Sequence, residues 1–139
     1  MSTVKRIENA ERDPRVKAVF DDIRSTRKTT FINHLWLYLA FDPDLLEQTW
    51  HDVKSVMLAD SALDPLVKEM IYIAVSASNA CSYCVHSHTA AARAKGMTDA
   101  QHADLLRVIT LAAKTNQLAN ALQLPIDAAF DADQSASKQ

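Results

Sequence analysis

Apolar residues recur along this chain with helical rather than alternating periodicity. After Pro14, the residues Val16, Val19, Phe20 and Ile23 form one stripe. After Pro43, a second stripe runs through Leu45, Leu46, Thr49, Trp50, Val53, Val56 and Met57. Both stripes open on an Asp-Pro dipeptide, Asp13-Pro14 and Asp42-Pro43, and a third dipeptide stands at Asp64-Pro65. Such a pair suits a helix start: the carboxylate accepts from unpaired first-turn amides, and proline has no amide to satisfy. A further helix is predicted over about 30–41, where FINHLWLYLAF is apolar on nearly every side and so should be enclosed by neighbours or by another subunit. LVKEMIYIAVSASNA after Pro65 reads as a helix turning near Asn79-Ala80 into a second one, CSYCVHSHTAAARAKG, which Gly96 would close in a left-handed cap. Thr98 and Gln101 form a capping-box pattern opening a last helix over about 99–122. Leu105, Ile109 and Ala112 lie on one face of it, and Val108, Leu111, Leu118 and Leu122 on another, so it should pack both inward and against a partner subunit. The polar tail DADQSASKQ, residues 131–139, is expected to be disordered. The pattern predicts an all-α fold: a single-domain helical bundle of about six helices over 1–139, with its core at about 64–123 and a central antiparallel helix hairpin.

Composition narrows what this bundle can do. A length of 139 residues suits one domain. Glycine occurs once, at Gly96, and proline four times. Hairpin turns and bulges call for glycine, so its scarcity argues against a β-rich fold. It also excludes the dinucleotide fingerprint, the phosphate-binding P-loop and the G-x-S-x-G elbow, each of which needs several glycines close together. Fifteen Lys and Arg against seventeen Asp and Glu give a net charge of −2, no footing for nucleic acid. The basic stretch Arg24 to Lys28 reads as a solvated helix end. No apolar run reaches the ~20 residues of a membrane span, and MSTVKRIENAERD lacks the apolar region of a secretory signal. A cytoplasmic location follows as the expectation. Disulfides are rare there unless catalytic or redox-sensing, which gives the two cysteines weight.

Both cysteines lie in one motif, Cys81-Ser82-Tyr83-Cys84. At the start of a helix, unpaired amides and the helix dipole favour a thiolate, and this spacing permits a reversible disulfide. On a helix, His88 lies about 40° from Cys84 and about 20° from Cys81, whereas His86 falls about 160° away from Cys84. If the two helices reflect about Asn79–Ala80, Glu69 stands opposite positions near 88 to 92, where a carboxylate would orient and tune an imidazole base. Tyr72, one turn after Glu69, is a candidate pocket residue. The same ligand types would also permit zinc, held by Cys81, Cys84 and His88 with Glu69 or His86, or two inert buried cysteines. His34, His51, His86 and His102 fit surface or packing roles. Trp36, Tyr38, Phe41 and Trp50 fit a core or subunit interface better than a cofactor box, so no flavin or haem, and no other cofactor, is expected.

The pattern Glu69, eleven residues, Cys81-x-x-Cys84, three residues, His88, within KEMIYIAVSASNACSYCVHSHTAAARAKGMT, resembles the alkylhydroperoxidase D-like branch of the carboxymuconolactone decarboxylase family. The resemblance covers about 50–60 residues from Asp64 into the last helix. It implies a thiol-dependent peroxidase in which Cys84 attacks a peroxide, Cys81 resolves the sulfenic acid, and His88 with Glu69 relays protons. It also implies an external dithiol reductant or redox protein and a family-type homo-oligomer, a trimer or hexamer. One position departs from the pattern. Studied peroxidases of this branch carry histidine before the second cysteine, where this chain has Tyr83, a phenol that can donate a hydrogen bond but shuttles protons poorly at neutral pH. Family members acting as plain decarboxylases lack the cysteine pair. Two other readings stay open: a non-enzymatic redox-switch or zinc-binding helical protein, and a cofactor-free decarboxylase or isomerase using Glu69 and His88.

Overall fold

A computed structural model of the chain describes residues 2–130. The tail expected to be disordered, 131–139, lies outside the described residues. Among the described residues there are six α-helices and no strand: α1 Pro14–Arg27, α2 His34–Leu39, α3 Pro43–Val53, α4 Pro65–Ser78, α5 Ser82–Ala94 and α6 Asp99–Leu122. No helix of these is long and apolar enough to cross a membrane. The chain separates into two compact units, the first ending at Ala62 and the second beginning at Leu63.

The Asp-Pro dipeptides open α1, α3 and α4. Asp13 accepts from the Arg15 amide at 2.8 Å, Asp42 from Leu45 at 3.1 Å and Asp64 from Leu66 at 2.8 Å, each with proline at the first helical position. In the first unit, Val16, Val19, Phe20 and Ile23 of α1 bury against Trp36, Leu46 and Trp50. The two indoles meet edge to face, with ring centroids 5.4 Å apart. Asp22 caps this cluster, accepting from Trp50 Nε1 at 2.7 Å and Lys54 Nζ at 2.6 Å.

Two predicted stretches end early in this unit. The helix expected over about 30–41 is confined to six residues, because Asn33 caps it from outside, accepting from the Trp36 amide. Ile32 and Trp36 are buried, but Phe31, Leu35 and Phe41 are exposed. The stripe expected to run through Val56 and Met57 stops with α3 at Val53, where a π-helical turn over Lys54–Leu58 shifts the phase of the side chains and leaves Val56 61% exposed.

In the second unit, α4 and α5 form the expected antiparallel hairpin, and α6 packs against α4. Ile73, Ala92 and Met97 are its buried centre, flanked by Leu66, Met70, Leu105 and Ile109. Ala112, predicted to share a face with Leu105 and Ile109, is exposed, since α6 meets this core only through its first half. Gly96 adopts φ +95°. The Met97 amide donates to Ala92 O and the Gly96 amide to Arg93 O, both at 3.0 Å, a Schellman closure that also buries Met97 beside Ala92. The capping box is formed in both directions, Gln101 N to Thr98 Oγ1 at 3.1 Å and Thr98 N to Gln101 Oε1 at 2.9 Å.

Candidate functional site

The turn joining α4 to α5 sets the position of the first cysteine. Cys81 N–H donates to Ser76 O at 2.9 Å and Ala80 N–H to Ala77 O at 3.2 Å, the same Schellman pairing found at Gly96 but with an alanine at φ 55° in the left-handed position. Closure of α4 therefore delivers Cys81 as the N-cap of α5. Its Sγ accepts from the Cys84 amide at 3.3 Å, and the two sulfurs are joined as a disulfide with Cα atoms 5.4 Å apart. Helical angles do not describe Cys81, because it stands outside the helix proper with φ −90° and ψ 87°. Cys84, in the first turn, shares a helix face with His88 four residues on.

Across the hairpin, Glu69 Oε2 lies 2.7 Å from His88 Nδ1. Its other oxygen, Oε1, accepts from Lys95 Nζ at 2.9 Å. Glu69 is 4% exposed. Burial alone would push its carboxyl pKa up, but the bonds and charges of His88 and Lys95 outweigh burial and hold it below the ordinary 4.5. A carboxylate so fixed makes His88 Nδ1 the donor, and in the neutral ring Nε2 then carries the lone pair. Tyr72 stacks on the His88 ring, with centroids 3.6 Å apart and planes 20° from parallel, so the imidazole is held at its edge by Glu69 and on its face by Tyr72.

Tyr83 sits between the cysteines on the exposed side of the first turn of α5. His86 is exposed and, with Ser76, Ala80, Cys81 and Val85, lines a cleft of about 270 Å³ beside Cys81. Among the described residues, no three His, Cys, Asp or Glu side chains are arranged to hold a metal ion.

Lys95 is the site residue the motif does not name. It stands seven residues after His88, two helical turns along the same face, and that interval was available in the sequence. A lysine at a helix C-terminus has an ordinary explanation in the helix dipole, which masks its inward turn here.

The family model described as "Carboxymuconolactone decarboxylase family" matches residues 43–127, a span that holds Glu69, Cys81, Cys84, His88 and Lys95. No curated protein matches the chain. A crystal structure of the alkylhydroperoxidase AhpD core from Rhodospirillum rubrum ATCC 11170 is 61% identical in sequence, with a TM-score of 0.90 over 94% of this chain and 97% of that one. On the family match and this likeness, the chain belongs to the carboxymuconolactone decarboxylase family, in its alkylhydroperoxidase D-like branch.

Proposed function

We propose that the protein is a thiol-dependent peroxidase reducing alkyl hydroperoxides through the Cys81–Cys84 pair. The observation that carries this reading is the juxtaposition, on one helix hairpin, of a cysteine pair able to close a disulfide and a buried Glu69–His88 contact. The 61% identity to an alkylhydroperoxidase core supports the same reaction class.

In the reduced protein, His88 Nε2 takes the Cys84 proton directly or through one water. The Cys84 thiolate attacks the hydroxyl-bearing oxygen of the hydroperoxide, the O–O bond breaks with alkoxide departing, and Cys84 becomes a sulfenic acid. The imidazolium of His88 returns its proton to the departing alkoxide, releasing the alcohol. The Cys81 thiolate then displaces hydroxide from the sulfenic sulfur, water leaves on protonation, and the disulfide forms. An external dithiol or redox protein restores both thiols by exchange, and the cleft beside Cys81 supports its approach from that side. Tyr72 keeps the imidazole ring in plane, and Tyr83 borders the reacting sulfurs without a histidine's capacity to shuttle protons. No resident cofactor takes part. The protein would work in the cytoplasm as a homo-oligomer, a trimer or hexamer.

Peroxide consumption by purified protein supplied with several dithiols tests this reading. Cys84→Ser should abolish turnover. Cys81→Ser should stop the cycle at a sulfenic acid that a dimedone-type reagent traps, and His88→Ala should slow the first step by about 10²–10⁴-fold. Unchanged peroxide turnover in either cysteine variant would sink it. An activity on another substrate that survives loss of both cysteines would point instead to acid–base chemistry on Glu69 and His88. A disulfide that cycles with no peroxide consumed would mark a redox switch.

A further inference from the structure

We infer that Lys95 is a positioning residue of this site: by holding Glu69 as a hydrogen-bond acceptor, it makes His88 Nε2 the end of the proton path, with Glu69 an anchor that never takes the proton. The inference deepens the peroxidase reading and rests on it for the identity of the proton donor, Cys84.

A carboxylate removed from water has two ways to relieve its charge: it takes up a proton or it finds cations. Glu69 has found partners for both oxygens, His88 Nδ1 at 2.7 Å and Lys95 Nζ at 2.9 Å. These partners act differently on the imidazole. Were His88 the sole partner, the uncompensated carboxylate charge would favour a second proton on the ring and make it a poorer acceptor for a thiol's proton. The Lys95 ammonium balances that charge, so the ring can stay neutral while still donating from Nδ1. Lys95 thus settles two things together: the tautomer, with Nε2 unprotonated, and the readiness of that nitrogen to act as a base.

The backbone aims the lysine. Lys95 is the C-cap of α5, its amide shared between Ala91 O and Ala92 O, and Gly96 follows at φ +95°. Its side chain is 32% exposed, against 6% for that of Glu69, so the ammonium keeps water on one side while meeting the carboxylate on the other. The bonds and charges that lower the Glu69 pKa are those of His88 and Lys95. On α4, Tyr72 covers the His88 ring and Lys68 is the adjacent buried residue. From α6, Leu105 and Ile109 face the unit's core, while the charged pair Asp104–Arg107 is turned to solvent with side chains 74% and 77% exposed. On α5 itself, Cys81 and Cys84 are tied in their disulfide and become two titrating thiols in the reduced chain.

Lys95→Met and Lys95→Arg, each in the reduced full-length chain, test the assignment by ¹⁵N NMR of the His88 ring over pH 5–9. The native protein should show the tautomer protonated at Nδ1. In Lys95→Met the crossover to imidazolium should move up by about one pH unit, and the acid limb of peroxide consumption should move with it. Lys95→Arg should restore the native position of both. A folded Lys95→Met whose crossover and acid limb stay put overturns the inference, as does a native His88 protonated at Nε2. Carboxyl ¹³C NMR of the native protein gives a check that needs no variant: a Glu69 side chain that takes up its proton above pH 4.5 overturns the anchor role. The ring measurement does not depend on turnover. A protein that consumes no peroxide but shows the shift loses the peroxidase reading and keeps the charge arrangement, and the converse outcome separates the two the other way.

Discussion

At the scale of single residues, the site turns on one carboxylate. Glu69 is buried, yet the bonds and charges of His88 and Lys95 outweigh the burial that would raise its pKa, so its folded value lies below the ordinary 4.5. A group with a depressed folded pKa stabilises the fold above its unfolded value, and that contribution is lost as the pH falls through the folded value. Glu69 should therefore contribute fully above about pH 4.5 and progressively less below it. Urea midpoints measured between about pH 3 and pH 6 should fall more steeply with acid in the native protein than in Glu69→Gln, and parallel slopes would count against the pairing. Sequence reasoning reached Glu69 and His88 because the hairpin reflection and the i,i+4 relation to Cys84 are properties of regular helices. It missed the Lys95 contact and gave no stacking geometry for Tyr72. Each depends on a rotamer chosen by the packed hairpin, and several rotamers suit the same spacing.

At the scale of elements, the hairpin is framed by two closures of one kind with different residues at the left-handed position. Gly96 takes φ +95° without a side chain, and no heavy atom within 4 Å would meet a Cβ there, so backbone strain alone opposes a substitution. Ala80 takes φ 55° and carries the Cβ that disfavours this region. Ala80→Gly should therefore stabilise the protein by about 0.5–1 kcal/mol, and Gly96→Ala should destabilise it by about 1–2 kcal/mol. Opposite shifts in chemical denaturation midpoint check both, and a destabilised Ala80→Gly would deny the strain. These helix ends were legible because their signals are local: Asp-Pro at three starts, Gly96 at one end, Thr98 with Gln101 at another start. The turn near Asn79-Ala80 was legible too, although its alanine gives no hint of a left-handed residue. The π-helical turn at Lys54–Leu58 was hidden for the opposite reason. Val56 and Met57 continue the α3 stripe in sequence, and only the departure of the backbone from α-helical phase shows that they leave it.

At the scale of the whole molecule, the second unit carries more apolar surface than its own core uses. α6 runs for 24 residues, but only Leu105 and Ile109 from it pack on the buried centre. Leu106, Val108, Leu111, Leu118 and Leu122 remain exposed. On α4, Val67, Ile71 and Val75 recur at four-residue spacing and are exposed as well. A long helix with an uncovered apolar face gains little by standing in water, and contiguous apolar surface of this kind marks an interface in soluble proteins. Closed assemblies of identical chains are the common way to cover it. The homo-oligomer proposed above would bury these faces, and light scattering at micromolar concentration should then return three or six times the chain mass. Leu118→Glu places a charge on the uncovered face of α6, nine residues beyond Ile109, the last residue of α6 that packs on the buried core. It should lower the measured mass towards that of one chain while far-ultraviolet circular dichroism stays helical. A native protein that runs as a single chain, or a Leu118→Glu variant that keeps the full assembly mass, would remove α6 from the interface.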